Sequence, residues 1–490
     1  MYPRHLPHAD ARAHGVCESG KVDQRAGRSP TAQRVARWLT WLLSCAALMT
    51  LGVPAQAEVT VLKNFTLIDG TGRAPVPHSA LTIENGRIAW VGTASQLKTP
   101  ANASVVDLAG KFVLPGFIDN HVHLGLVHDL DQDIKFFSRE SVEDQLHTYA
   151  AYGVTAVQVL GTDTDEIFEI RDRLRRNPGK MAHVFTSGQG LVFKGSYGGV
   201  PHLNVPVATV EEARAAVDAQ AAKGVDFIKL WVDDEFGDLP LRMPPHISQA
   251  IIDQAHKHKL RAIAHIFYLE NARTLAAQGI DGFAHSVRDQ LVDQALLDSM
   301  KQHHTAQMAA TLSREASFTY SKLPFLDDPF FNRALTPAAL ATLASPERQQ
   351  KLSSAKHFAQ YPGVLETAMA NVGKELKAGV NMGVGTDSGP SGRFAGYFFH
   401  WELELMVKAG MTPLQVLSAA TGNNARLIGA KDLGTVESGK MADLVVLNAD
   451  PLADIRNTRT IHSVYIAGES APTIWSMCKG RTSDQCGGAK

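Results

Sequence analysis

Six residues carry types and spacings suited to holding metal ions: His121 and His123, then Lys229, His265, His285 and Asp387. The first two sit in the stretch GKFVLPGFIDNHVHL, residues 110–124. Its apolar run reads as a buried strand, and side chains two apart on a strand share a face. His121 and His123 can therefore aim at one cation while Val122 packs behind them. Lys229 lies in GVDFIKLWV, a context of buried parallel strand. A bare ammonium there is costly to desolvate and has no lone pair to offer a metal. Carbamylation by carbon dioxide would turn it into an anionic carboxylate mimic with two oxygens, able to bridge two cations. The plainer alternative, an amine snorkelling to the mouth of the fold, stays open. His265 ends RAIAH, His285 ends GFAH, and Asp387 ends NMGVGTD. Any one of these at a strand end would more often be an ordinary hydrogen-bonder. Six in register point to a two-metal centre.

The elements that must position them alternate in type. Strands are expected at Phe117–Val122, Ala156–Leu160, His183–Ser187, Phe227–Val232, Ala262–His265, Gly282–His285, Thr305–Ala309 and Met382–Gly385. Between them lie helical patterns such as VEEARAAVDAQAAKG and ISQAIIDQAHKHK. Eight strands with intervening helices predict an α/β fold, a (β/α)8 TIM barrel, whose chemistry sits at the carboxyl ends of its strands. All six residues fall there. Flanking it, VTVLKNFTLIDGTG, ALTIENGRIAWVG and ASVVDL at one end, and GTVESGKMADLVVLNADP and TIHSVYIAGE at the other, read as short strands with turns. They predict a small β-sandwich built from both termini. The divisions are an export segment at 1–57, sandwich strands at 58–115, a barrel at 116–428, returning sandwich strands at 429–470 and a tail at 471–490. Residues 310–365, rich in Phe and Pro, read as a lid or wall, or else as an outer helical hairpin.

Bulk properties narrow the partners. The 490 residues are 44% hydrophobic and 20% charged, as in a soluble globular enzyme. Net charge is −1, so no basic surplus suggests nucleic acid. Arg28, Arg34 and Arg37 precede an apolar run from Trp38 to Val53, and Ala55-Gln56-Ala57 supplies a small-x-small cleavage pattern. This predicts export to a periplasmic or extracellular space with cutting after Ala57, and no stable membrane span afterwards. The run is short of the ~20 residues a span requires. Cys478 and Cys486, the two cysteines outside the leader, would form a small disulfide loop or remain free thiols.

The order HVH, buried Lys, His, His, then GTDSG, framed by TLIDGTG and GKMADLVVL, resembles the amidohydrolase superfamily, in its imidazolonepropionase-like and prolidase-like branch. The resemblance covers roughly residues 58–468. It implies that His121, His123 and Asp387 hold one divalent cation, that His265 and His285 hold a second, and that carboxylated Lys229 bridges them. Zinc is the default metal, with manganese, cobalt or nickel able to replace it. It further implies hydrolysis of a small-molecule amide, a dipeptide or N-acyl amino acid, by a hydroxide shared between the metals, with Asp387 as general base and then acid. Tyr268 matches a tyrosine that steadies the oxyanion in prolidase-like relatives. Tyr197 and His202 fall where those relatives carry a substrate-binding Gly-Gly-His, but here Val200 and Pro201 separate the glycines from His202. Relatives are often homo-oligomers. The competing readings are an esterase, lactonase or phosphotriesterase on the same centre, and a non-catalytic scaffold, which the intact ligand set disfavours.

Overall fold

The computed structural model describes residues 59–481 apart from 201 and 235. The expected export segment and Cys486 lie outside the described residues, while Cys478 is disulfide-bonded. Among the described residues, no helix is long and apolar enough to cross a membrane.

Strand segments from both ends of the described chain share one eight-stranded sheet. Its order runs Glu469–Ala471, Ile461–Ile466, Leu444–Leu447, Phe112–Pro115, Thr60–Leu67, Val76–Glu84 and Arg87–Thr93, with Ser104–Asp107 also paired to Thr60–Leu67. The seam between the two ends is antiparallel, with Leu444 opposite Pro115 and Leu447 opposite Phe112. Leu62, Phe65, Leu81, Leu444 and Val446 form an apolar cluster of their own against it.

The site-bearing strands are parallel and lie in two ladders. One runs His183–Thr186, Val154–Val159, Phe117–Val122; the other runs Asn204–Val207, Gly190–Phe193, Phe227–Trp231, Arg261–His265, Gly282–Phe283, Ala306–Gln307. Seven of the eight expected strands are present, several a residue or two displaced. The sequence reading passed over Gly190–Phe193 and Asn204–Val207, which flank the glycine-rich stretch and pair in parallel. The helices Val210–Ala222 and Pro245–Lys257 follow the apolar spacing that predicted them.

The expected eighth strand, Met382–Gly385, does not form a ladder. Its segment makes two isolated parallel bridges, Met382 with Gln307 and Ser388 with Val122. The cause is where its backbone groups go. The amide of Val384 donates to the Asn424 side chain (3.0 Å) and that of Thr386 to Asp119 Oδ1 (3.1 Å). Side chains thus take two of its amides and interrupt the ladder, although Gly383 still donates to the Gln307 carbonyl and the Val384 carbonyl accepts from Asn120, and Asp387 turns into the left-handed region at φ 55°.

The aromatic connection after the seventh strand is helical: Leu312–Phe318, Pro329–Asn332, Pro337–Ala344, Pro346–Ser353 and then Tyr361–Ala378. Phe330 and Phe331 are buried, and Phe325 stacks on Tyr397 and Trp401 at 4.6 and 5.0 Å. Most of its apolar face is therefore used against the helix Tyr397–Lys408.

Candidate metal centre

The alternation of the strand Phe117–Val122 does bring His121 and His123 together. Their Nε2 atoms lie 3.6 and 2.8 Å from Asp387 Oδ1, so the three side chains offer donors within 4.8 Å of one another. The opposite ring nitrogens are also engaged. His121 Nδ1 is 3.0 Å from the Ala284 carbonyl, which can only accept, so Nδ1 carries the proton and Nε2 keeps its lone pair. His123 Nδ1 meets the Thr162 hydroxyl at 2.6 Å, and His285 Nδ1 meets that of Thr311 at 2.9 Å. Partners of this kind orient metal-binding imidazoles and raise their basicity. Thr311 does so from a left-handed conformation, φ 56°, rare for a β-branched residue and a sign that the surrounding structure enforces it.

Burial pushes all four imidazoles below their ordinary value, His265 to about 4, so they are neutral at pH 7. Burial alone would raise Asp387, but the Arg393 guanidinium beside it outweighs this and holds the carboxyl well below its usual range. Neutral imidazoles beside an ionised carboxylate are the donor set a divalent cation selects.

Lys229 is 1% exposed, and its Nζ has no hydrogen-bond partner among the described residues. Burial pushes its amine down to about 7. The Trp231 ring lies 5.3 Å from Nζ. Two glycines make room for the pair. A Cβ on Gly190 would lie 2.3 Å from the Trp231 ring and 3.0 Å from Lys229 Cγ, and one on Gly161 would lie 2.4 and 2.9 Å from the same groups. An amine so enclosed and so poorly satisfied fits a residue whose native state carries something more. His265 and His285 complete the ring cluster, with centroids 4.2 Å apart and His285 4.8 Å from His121. His265 Nε2, however, lies 2.9 Å from Asp233 Oδ2. The six residues thus gather in one place, but only three present donors to a common point.

The softer candidates divide. Tyr197 is at the site: it lines the cavity of about 90 Å³ that holds His121, His123 and Asp387, and its ring is 5.2 Å from His265. Tyr268 is not brought there. Its hydroxyl donates to Asp234 Oδ1 (2.8 Å), its ring lies under the Arg242 guanidinium at 3.7 Å, and it lines neither that cavity nor the adjoining one. An oxyanion role would require it to leave an acidic partner. His202 is exposed, at φ 68°, and also lines neither. The adjoining cavity, about 310 Å³, shares Tyr197, His265 and Arg393 with the first and extends to Phe318 and Tyr361. A larger cavity, about 670 Å³, lies along the Gly389–Ala395 segment and contains none of the six residues; chemistry rather than size identifies the site.

Sequence reasoning missed Arg314, Arg393 and Asp233. Arg314 Nε is 2.8 Å from Asp387 Oδ2, and Arg393 Nη1 pairs with the same oxygen. Arg393 follows Asp387 by six residues in a Gly-Pro-rich loop, the one signal that could have marked it.

A family model described as "Amidohydrolase family" matches residues 112–471. Ochratoxinase from Aspergillus niger is 24% identical over 440 residues, covering 82% of this chain and 83% of that protein. Imidazolonepropionase from Streptomyces griseus is 24% identical over 403 residues, covering 79% and 90%. The structure of a Xaa-Pro dipeptidase with methionine bound in its active site superposes with a TM-score of 0.66 at 21% identity, covering 84% of this chain and 99% of that one.

Proposed function

Because the chain belongs to the amidohydrolase family, and is thereby a hydrolase of carbon–nitrogen bonds, we propose that it is a two-metal amidase acting on a dipeptide or N-acyl amino acid. On this reading the parallel ladders, joined through the 382–388 segment, are the staves of a (β/α)8 barrel, and the sheet from both ends belongs to its β-sandwich. His121, His123 and Asp387 would hold one divalent cation, His265 and His285 a second, and carboxylated Lys229 would bridge them, with zinc the expected metal. When bound, such cations supply Lewis acidity and lower the pKa of water to ~7.

The chain's own residues do the rest. Asp387 Oδ1 takes a proton from the attacking water and returns it to the leaving nitrogen. Arg314 and Arg393 keep that carboxyl ionised and fix its rotamer. The Ala284 carbonyl holds His121 at one tautomer, and Thr162 and Thr311 orient the rings of His123 and His285. The packed walls around Lys229 exclude bulk water, which strengthens every charge interaction inside. The observation that carries the proposal is the convergence of His121, His123 and Asp387 beside a buried amine with no hydrogen-bond partner among the described residues.

The test is elemental analysis of purified protein, followed by turnover on a panel of N-acyl amino acids, dipeptides, lactones and phosphotriesters. Two transition-metal equivalents with amide turnover support the reading. Metal-free active protein, or turnover of phosphotriesters alone, refutes it. The leader is proposed to direct export with cleavage after Ala57; N-terminal sequencing of protein recovered outside the cytoplasm should begin at Glu58.

A further inference from the structure

A carboxylate lies on the buried part of the helix Tyr397–Lys408, among apolar side chains. Glu402 is 0% exposed, and its helix neighbours Phe398, Phe399, Leu403 and Met406 are buried with it. A charge so enclosed is costly unless its oxygens are bonded. Both are: Oε1 accepts from the Leu312 amide (2.9 Å) and Oε2 from the Ser313 amide (2.6 Å). Burial pushes the carboxyl up to about 7, and the amides of Ser313 and Leu312 oppose a further rise.

Those two amides open the segment Leu312–Phe318, and the residue before them explains why a distant side chain is needed. Thr311 holds the position whose hydroxyl ordinarily accepts from the second or third amide of the turn that follows. Here it makes no such bond. The hydroxyl is turned to His285 Nδ1 instead, at 2.9 Å. An imidazole that gives one nitrogen to a cation keeps its proton on the other, so it needs an acceptor at that point. An ordinary cap is also extended, whereas Thr311 is left-handed at φ 56°, a conformation unfavourable for a β-branched residue. Committing the hydroxyl to His285 therefore leaves two amides without their local acceptor and one residue strained. Glu402 answers both: it satisfies the amides and pins the chain immediately after Thr311. The Thr311 amide, donating to the Gly385 carbonyl (3.2 Å), pins it on the other side.

Resting on the two-metal reading above, we propose that Glu402 is a positioning residue for the second cation, acting through Thr311 on His285. Glu402 takes over the cap that Thr311 gives up, and so fixes the hydroxyl that sets the His285 ring. The requirement is for a carboxylate of this length. A glutamine offers one acceptor oxygen and sets its NH2 against the other amide N–H, and an aspartate is one methylene short. The same segment carries Arg314 to Asp387, but that carboxylate is held by Arg393 as well. Loss of Glu402 therefore falls on the His265–His285 side of the centre.

The experiment titrates metal-stripped protein with zinc against a chelator and reads the two equivalents separately, so that the first serves as an internal control. Glu402→Leu is expected to weaken the second equivalent by about 10- to 100-fold, the range for a lost outer-shell partner. Glu402→Gln, nearly the same shape and so the safer fold, should weaken it by less. Thr311→Val, which keeps the branching and removes the hydroxyl, should weaken the same equivalent, whereas Thr311→Ser should not. In the Thr311→Val background Glu402→Gln should add little, because the path it acts through is already cut. A merely structural role predicts otherwise. Equal weakening of both equivalents, or losses from the two substitutions that add in full, overturns the proposal, as does an unchanged second equivalent in the Glu402 variants. Each of those results leaves the two-metal reading intact. That reading falls, and this inference with it, if the wild type binds fewer than two equivalents.

Discussion

Replacing Lys229 with methionine should push stability and function in opposite directions. The lysine amine is enclosed, 1% exposed, and has no hydrogen-bond partner among the described residues. A buried polar group left unpaired costs ~1–3 kcal/mol by mutational measure. Methionine removes it with an apolar chain one atom shorter, and the lost packing costs roughly 0.8 kcal/mol per missing methylene equivalent. The difference is a gain of about 0.2–2 kcal/mol in the metal-free protein. Denaturant unfolding of metal-stripped wild type and variant, compared by midpoint at unchanged slope, measures it. After metal reconstitution the order should reverse. The variant has no amine to carboxylate, so elemental analysis should find less bound metal and turnover should collapse. A metal-free variant no more stable than wild type would show that the amine is well satisfied where it lies. A reconstituted variant with full metal content and full activity would remove Lys229 from the centre.

Asp387→Asn should leave metal bound but abolish turnover, because an amide cannot carry the proton; an active variant, assayed on the amide substrate at matched metal content, would reassign the base. Gly190→Ala places a methyl 2.3 Å from the Trp231 ring and 3.0 Å from Lys229 Cγ, an overpacking expected to cost ~1–3 kcal/mol; it should lower the unfolding midpoint and the metal content together, and an unchanged midpoint would contradict the tight packing. Burial pushes the Glu375 carboxyl from 4.5 up to about 8. Between those values the unfolded chain has released the proton and the native chain keeps it, so stability is full below pH 4.5 and declines as pH rises, by up to ~1.4 kcal/mol per unit. Glu375→Gln should therefore gain on the wild type by about 2–3 kcal/mol between pH 5 and pH 7; parallel curves from denaturant titration would refute it.

How far these features could be read beforehand follows their physics. The strand Phe117–Val122 was legible to the residue, because Phe117, Ile118 and Val122 continue an apolar stretch and the two-residue period of a strand sets where both histidines point. Lys229 was legible because a charge inside such a run demands a reason. The segment Met382–Gly385 was read as a strand because its apolar run is right, while the side chains that intercept the amides of Val384 and of Thr386 just beyond it, Asn424 and Asp119, are distant in sequence. Tyr268 was placed by its offset from His265, yet offset says nothing of the acid at Asp234 that claims its hydroxyl. Arg314 and Arg393 carry no period at all. They reach Asp387 from a helix start and a loop, where position depends on the whole fold.

The sheet shared by the two ends of the chain has a consequence for biosynthesis. The strand Phe112–Pro115 completes its pairing only with Leu444–Leu447, and Lys111 meets Asn448 across 337 residues. At ~5–20 residues per second on the ribosome, its open edge waits roughly 15–70 s for a partner not yet synthesised. Throughout that interval Val113 and Leu114, fully covered in the finished fold, belong to an unpaired margin that invites foreign strands. A message truncated before Leu444 should therefore yield aggregate rather than a smaller working enzyme.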